Sequence, residues 1–262
     1  MLSKSILEEA MSHAGMHGNG MFLSECGSTN VEAKNFAISG ATNLSVVVAD
    51  AQTGGKGRAG RTWTSPADMG LYVTVIMHGI PVETSPMIPL MAAVAVCKAI
   101  KSVSNGVIDP GVKWPNDIVV GLRKICGILA EGGSGFAICG MGINVGHGEG
   151  DFPEELRERA TSLRICGGDI TRAQMLTELL KNFKEEYLRL KAGEYEKLLE
   201  QYRVFCVNIG KDVMVHAPGE SYRAKALDIA EDGALVVVPF GENEQKKIYA
   251  GDVSVRGLMG YV

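Results

Sequence analysis

Along this chain the spacing of apolar residues alternates between the period of strands and that of helices, and each change predicts an element. Residues 5–14 carry a short helical pattern closed by Gly15 and Gly18, and residues 21–25 read as a strand. Thr29-Asn30-Val31-Glu32 matches a capping box, in which a threonine hydroxyl and a glutamate satisfy the orphan amides of a new helix, here running to about Ser39. Residues 44–49 are apolar and rich in valine, a buried strand. From Asp50 to Ser65 no period survives. That stretch holds four glycines, two arginines and a lysine, and a loop of such length inside a compact domain is usually functional or mobile. A strand resumes over residues 70–77, and residues 87–102 form an apolar, alanine-rich helix.

The second half continues the alternation. Residues 112–114 and 118–120 flank a Pro-Asn-Asp turn, and residues 124–131 and 136–144 form a hairpin across the four-residue connection Gly132-Gly133-Ser134-Gly135. Residues 171–190 are an amphipathic helix, with Leu176, Leu180, Phe183, Tyr187 and Leu190 at spacings of three and four, and residues 194–205 continue helical. After Asn208 the texture turns to short strands at 212–216, 224–229, 234–238, 246–249 and 253–256, with turns at Pro218-Gly219, Asp232-Gly233 and Gly241. That rhythm predicts a small antiparallel barrel. The expected class is α+β, a mixed or antiparallel sheet packed with helices, with domains 1–207 and 208–262.

Composition narrows the function. A net charge of -4 argues against broad attraction to nucleic acid or anionic membrane, yet leaves room for one local basic loop. The six cysteines lie far apart with no C-x-x-C pair, so neither zinc nor a redox dithiol is suggested and a reduced, cytoplasmic setting fits. Residues 1–20 hold no apolar core of a signal peptide, and the apolar helix is too short to span a bilayer and carries Lys98.

Five segments carry candidate chemistry. Gly54-Gly55-Lys56-Gly57-Arg58-Ala59-Gly60-Arg61-Thr62-Trp63 alternates glycine with cations, so the backbone can approach a ligand while the arginine forks suit phosphate oxygens and Trp63 offers a face for a purine. It is neither a Walker A loop nor a Rossmann fingerprint. Lys113-Trp114-Pro115-Asn116-Asp117 fixes a lysine before a rigid turn. Lys124-Ile125-Cys126-Gly127-Ile128-Leu129-Ala130-Glu131 is a strand with one glycine for close approach, and Gly140-Met141-Gly142-Ile143-Asn144-Val145 is a glycine-relaxed strand end. Ser28-Thr29-Asn30 opens a helix, where capping alone explains the threonine, though a helix start also presents amides and hydroxyls to a neutral heterocycle. Taken singly, each has a bland structural explanation.

In this order the segments resemble the catalytic core of the biotin–protein ligase family. The family pattern S-T-N, G-R-G-R-x-G-R-x-W-x-S-P, G-x-N-L-Y, K-W-P-N-D, K-x-x-G-I-L-x-E and G-x-G-I-N-V stands here at residues 28–30, 55–66, 70–72, 113–117, 124–131 and 140–145, with Ala160-Thr161-Ser162-Leu163 matching further on. The likeness runs from about residue 20 to the C-terminus, whose barrel resembles the family's SH3-like domain. It implies a class II synthetase-like fold and an enzyme that activates biotin with ATP to biotinyl-AMP, then transfers biotin to a lysine of a biotin carboxyl carrier protein.

By position the resemblance implies a biotin site of Ser28, Thr29, Asn30, Gln52, Gly55, Lys56, Gly57, Arg58, Lys113, Gly127 and Gly140. It implies an ATP site of Arg58, Arg61, Trp63, Asn116, Gly142 and Asn144. Lys113 and Arg58 are the catalytic cations, magnesium travels with the nucleotide, and no protein metal site is expected. Lys56 replaces the family's usual arginine and Gly146 its usual asparagine, which implies tuned affinity. About 20 residues precede the first catalytic strand, too few for the family's optional winged helix-turn-helix, so no repressor role is expected. Two rivals stand beside this assignment: a lipoate–protein ligase, whose R-R-x-S/T-G-G-G signature is absent, and a non-catalytic biotin sensor. Which carboxylase is served, and whether the chain forms a homodimer, is left open.

Overall fold

The computed structural model describes residues 1–217 and 219–250, together with the backbone of residues 254–257. The first half follows the alternating pattern: α1 (Lys4–His13), β1 (Gly20–Cys26), α2 (Thr29–Ile38), β2 (Val46–Gln52), β3 (Gly70–His78), α3 (Met87–Val103), β4 (Pro110–Lys113), β5 (Asp117–Val120), β6 (Arg123–Gly133) and β7 (Phe136–Asn144). These strands form one seven-stranded sheet in the order β1-β2-β3-β7-β6-β5-β4. Only β1 and β2 pair in parallel, joined by the crossover helix α2; every other pair is antiparallel.

The period of two along each strand sorts side chains between the two faces of the sheet. Val46 and Val48, Leu71, Val73, Val75 and Met77, Cys126 and Ile128, and Cys139, Met141 and Ile143 face the main core beneath α3, α4 (Arg172–Lys191) and α5 (Tyr195–Phe205). The other face is nearly free of bulk. It offers a small apolar cluster under α2 (Ala33, Ala37, Val47, Ile76, Ile138) and, beyond it, Thr74, Gly127, Glu131, Gly140, Gly142 and Asn144. Helix α3 is buried along most of its length, and its Lys98 pairs with the buried Glu186 at 2.6 Å. None of the described helices is long and apolar enough to cross a membrane.

The C-terminal strands β8 (Asp212–Ala217), β9 (Glu220–Ile229), β10 (Leu235–Pro239), β11 (Lys246–Ile248) and β12 (Ser254–Gly257) form a separate antiparallel sheet in the order β11-β10-β9-β8-β12. Gly219, Gly233 and Gly241 take positive φ at the expected turns; Pro218, and Val253 at the predicted start of the last strand, lie outside the described residues. Three buried bonds tie the turn between β4 and β5 to α5 and to two loops of the C-terminal region. The Trp114 amide donates to Asn208 Oδ1 at 2.7 Å, its indole N–H to the Gly233 carbonyl at 3.1 Å, and the Tyr202 hydroxyl to the Pro115 carbonyl at 3.2 Å.

Three expectations need correction. The N-cap of α2 is Ser28, one residue early, and it makes no side-chain cap bond. Thr29 instead donates both its amide (2.8 Å) and its hydroxyl (3.1 Å) to Gln52 Oε1, so the helix start is satisfied by a neighbouring strand rather than by Glu32. A capping box does form at α4, where Thr171 and Gln174 bond reciprocally. In the hairpin β6 and β7 stay paired through Gly133 and Phe136, which shortens the connection to Ser134-Gly135, with Gly135 at φ 79°. The loop from Asp50 is also more ordered than its sequence shows: β2 runs on to Gln52, and bridges at Gln52–Ser65 and Lys56–Thr62 fold the remainder into a narrow excursion.

Candidate active site

A cavity of about 1390 Å³ opens on the sheet face opposite α3 and α4. Ser28, Thr29, Asn30, Gln52, Gly55, Lys56, Gly57, Arg58, Arg61, Trp63, Lys113, Asn116, Gly127, Gly140, Gly142 and Asn144 all line it. Segments spread over more than a hundred positions therefore converge on one space, including the three cations Arg58, Arg61 and Lys113.

One end is a floor of neutral polar groups. Ser28, Thr29 and Asn30, at the start of α2, are buried to 3–5 % exposure. Asn30 donates through Nδ2 to Glu131 Oε2 at 2.7 Å and to the Leu129 carbonyl at 3.3 Å, and its Oδ1 accepts from Thr74 at 2.8 Å. Thr74 lies 2.9 Å from Thr29 Oγ1; Gln52, which accepts from Thr29, donates in turn to Ser65 at 2.8 Å, and Ser65 donates to the Trp63 carbonyl at 3.0 Å. The chain of bonds runs unbroken across four elements.

Glycine makes the sheet beneath it flat. Register sets Gly140 beside Thr74 and Gly142 opposite Gly127. A Cβ at Gly140 would collide with Asn30 Oδ1, and one at Gly142 with the Trp63 indole, which also lies against Gly127. Gly127, Gly140 and Gly142 thus line the cavity mainly by admitting Asn30 and Trp63. The indole N–H of Trp63 is buried and has no partner among the described residues.

The other end is cationic. In the excursion the Gly57 amide donates to the Arg61 carbonyl at 2.7 Å and the Trp63 amide to Gly55 at 2.9 Å; at the tip Ala59 and Gly60 take φ of 53° and 72°. Arg58 reaches inward, donating through Nη1 to Asn116 Oδ1 at 2.9 Å and through Nη2 to the Ala250 carbonyl. Burial pulls its guanidinium below the usual arginine range, against the opposing pull of Asp117, and at neutral pH it stays a cation. Asn116 is fixed by donating to the Ile128 carbonyl at 2.6 Å, and Lys113 is 5 % exposed. Lys124 bonds Asp117 at 2.5 Å and stands 5.3 Å over the Trp63 ring. Asn144 lines the cavity while its Nδ2 donates to the Thr161 carbonyl at 3.0 Å, pinning the segment that carries Ala160.

Several residues of the site have no role that the sequence assigns, Glu131 standing only as the end of the segment 124–131. Thr74 is a lone polar residue in an apolar strand, and its alternation is the signal that would have found it. Glu131 is held by Lys34 at 2.7 Å, and burial, which alone would raise its pKa, is outweighed by the bonds from Lys34 and Asn30, so the carboxyl sits below its usual range. Arg172, at the start of α4, pairs with Asp50 at 2.5 Å and Asp68 at 2.6 Å and so clamps both ends of the basic excursion. His147, stacked on Phe152 with ring centroids 5.0 Å apart, closes the far wall. No local pattern marked either of the last two.

Residues 25–146 match the Biotin/lipoate A/B protein ligase family and residues 209–256 the Biotin protein ligase C terminal domain. The bifunctional ligase/repressor BirA of Bacillus subtilis is 33% identical over 236 residues, covering 87% of this chain and 71% of that protein. The biotin–[acetyl-CoA-carboxylase] ligase of Mycobacterium tuberculosis is 32% identical over 237 residues, covering 88% and 86%. Among solved structures, the biotin protein ligase of Aquifex aeolicus in complex with biotin and ATP superposes with a TM-score of 0.78 at 27% identity, over 91% of this chain and 99% of that one. The chain belongs to the biotin–protein ligase family of enzymes.

Proposed function

We propose that this enzyme joins biotin to ATP, holds the resulting biotinyl-5'-AMP, and passes the biotinyl group to a lysine of a biotin carboxyl carrier protein. The observation that carries this is the convergence of Arg58, Arg61 and Lys113 on a cavity whose opposite end is neutral and polar. A carboxylate and a triphosphate repel one another, so bringing them together needs fixed cations more than a nucleophile or base. Lys113 offsets the charge at the carboxylate–phosphate junction, where the biotin oxygen bonds the α-phosphorus and pyrophosphate leaves. Arg58 and Arg61 face the phosphates, and Trp63 the purine. The ureido ring of biotin takes the floor of Thr29, Asn30 and Gln52. In the second step the carrier amine attacks the acyl carbon and AMP departs.

Magnesium travels with the nucleotide in this scheme. Among the described residues, the carboxylates that line the cavity are engaged already: Asp117 with Lys124, Glu131 with Lys34 and Asn30, and Asp151 with the Gly148 amide. They do not form a cage for a cation, and no step is assigned to one.

Mass spectrometry of a carrier domain incubated with the enzyme, ATP, magnesium and biotin tests the proposal. One added biotinyl group is expected. An unmodified carrier rejects transfer, and modification with lipoate in place of biotin rejects the substrate.

A further inference from the structure

The hydrogen bonds of the polar floor have a direction, set at one edge by Glu131 and at the other by the Trp63 carbonyl. Glu131 accepts at both oxygens: Oε1 from Lys34 at 2.7 Å and Oε2 from Asn30 Nδ2 at 2.7 Å. The Leu129 carbonyl is a second acceptor for the same NH2 group. With Nδ2 turned to two acceptors, Asn30 presents Oδ1 to Thr74, which donates to it at 2.8 Å. The far end is also closed by an acceptor, the Trp63 carbonyl, which takes the Ser65 proton; Ser65 then accepts from Gln52 Nε2, and Gln52 Oε1 is left facing the Thr29 amide. Between these fixed ends the Thr29 hydroxyl gives its proton to Gln52 Oε1, and its oxygen lies 2.9 Å from the Thr74 hydroxyl, whose one proton is shared between Thr29 and Asn30. Lone pairs of Asn30 Oδ1 and Thr29 Oγ1 therefore remain for whatever enters the cavity, with the Ser28 hydroxyl and the second Gln52 Nε2 proton as donors beside them.

We propose that Glu131 is a positioning residue that sets the hydrogen-bond polarity of Asn30, so that this side of the neutral floor receives its ligand through the ligand's N–H donors. The proposal rests on the assignment of that end to the ureido ring of biotin, which carries two such donors.

Lys34 makes the test sharp. In Glu131→Gln the cation still demands an oxygen, so the new amide turns Oε1 to Lys34 and its NH2 to Asn30. Asn30 must then flip or face a donor with a donor, and the floor loses its polarity. In Glu131→Gln combined with Lys34→Met the demand is gone, and the glutamine can turn Oε1 back to Asn30. Lys34→Met alone leaves the carboxylate accepting from Asn30.

Steady-state pyrophosphate release would be measured for the wild type and the three variants, with thermal melting of each. Glu131→Gln is expected to raise the KM for biotin about tenfold, the scale of one misdirected buried hydrogen bond, with the KM for ATP and kcat within about twofold of wild type. Lys34→Met should stay within about threefold, and the double variant should bind biotin better than Glu131→Gln despite having lost both charges. An additive or worse double variant overturns the proposal, because a structural ion pair would behave that way; so does an unchanged KM in Glu131→Gln, or a loss shared equally by ATP. Should Glu131→Gln melt too low to assay, Glu131→Asp, which keeps an acceptor, must retain near-normal biotin KM. A wild-type enzyme that releases no pyrophosphate with biotin overturns the ligase assignment itself, and this inference with it.

Discussion

The two ends of the cavity are built on opposite plans. At the neutral end the polar side chains linked from Glu131 to Ser65 are each bonded within the protein, and Thr29 and Asn30 are buried. At the cationic end Arg58 makes two bonds, while Lys56 and Arg61, both exposed, make no side-chain hydrogen bond or ion pair among the described residues. A neutral heterocycle is held by direction and fit, so its seat repays being fixed in advance. Phosphates are held by charge, which acts at a distance and tolerates a loop that closes after the ligand arrives.

Substitutions should separate the two plans. The largest effect is expected for Lys113→Ala, about 10²–10³-fold in the rate of pyrophosphate release, on the scale of losing one preorganised charge-stabilising donor; a near-normal rate would remove Lys113 from the chemistry. Arg58→Ala should speed the dissociation of biotinyl-5'-AMP by roughly 10–100-fold, the range for a lost hydrogen bond to a charged group, with little change in the KM for biotin; rapid-quench trapping of the released adenylate reads this. Gly140→Ala and Gly142→Ala then test each end by steric means alone. The first displaces Asn30 and should raise the KM for biotin about tenfold, and the second displaces Trp63 and should raise the KM for ATP to a similar degree, as for overpacking that costs about 1–3 kcal/mol. If both variants disturbed both constants alike, the division into two ends would fail.

The smallest effect concerns the far wall. Burial holds the His147 imidazole below its ordinary value of 6.5, against the pull of Asp151. As the pH falls, the unfolded chain therefore takes up its proton first. The stability from this neutral ring is whole above the unfolded value and drains away as the pH drops towards the folded one. His147→Gln should lessen the fall in melting temperature between about pH 7.5 and pH 5.5 by roughly 2 °C. An unchanged difference would mean that the ring titrates alike in both states.

Much of the site was legible because its residues are fixed by local needs. Lys113 precedes a Pro-Asn-Asp turn in which proline fixes φ, and the glycines at 127, 140 and 142 stand where strand alternation would otherwise put bulk on the cavity face. Thr29 was legible as a residue and illegible as a contact. Its sequence neighbourhood reads as a cap, yet its hydroxyl turns to Gln52 and Thr74, because strands β2 and β3 bring better partners than Glu32 offers. Arg172 was invisible for the same reason, since Asp50 and Asp68 lie more than a hundred residues away.

The sequence by itself determined the order of helices and strands, the position of the cationic excursion and the identity of the motifs, because period, glycine placement and charge are local properties of the chain. The tertiary structure alone decided that Gln52 rather than Glu32 closes the start of α2, that Gly140 and Gly142 admit Asn30 and Trp63, and that Glu131 accepts from Asn30. Each of those depends on which atoms meet across strands, and hydrogen-bond direction and van der Waals exclusion act only at contact.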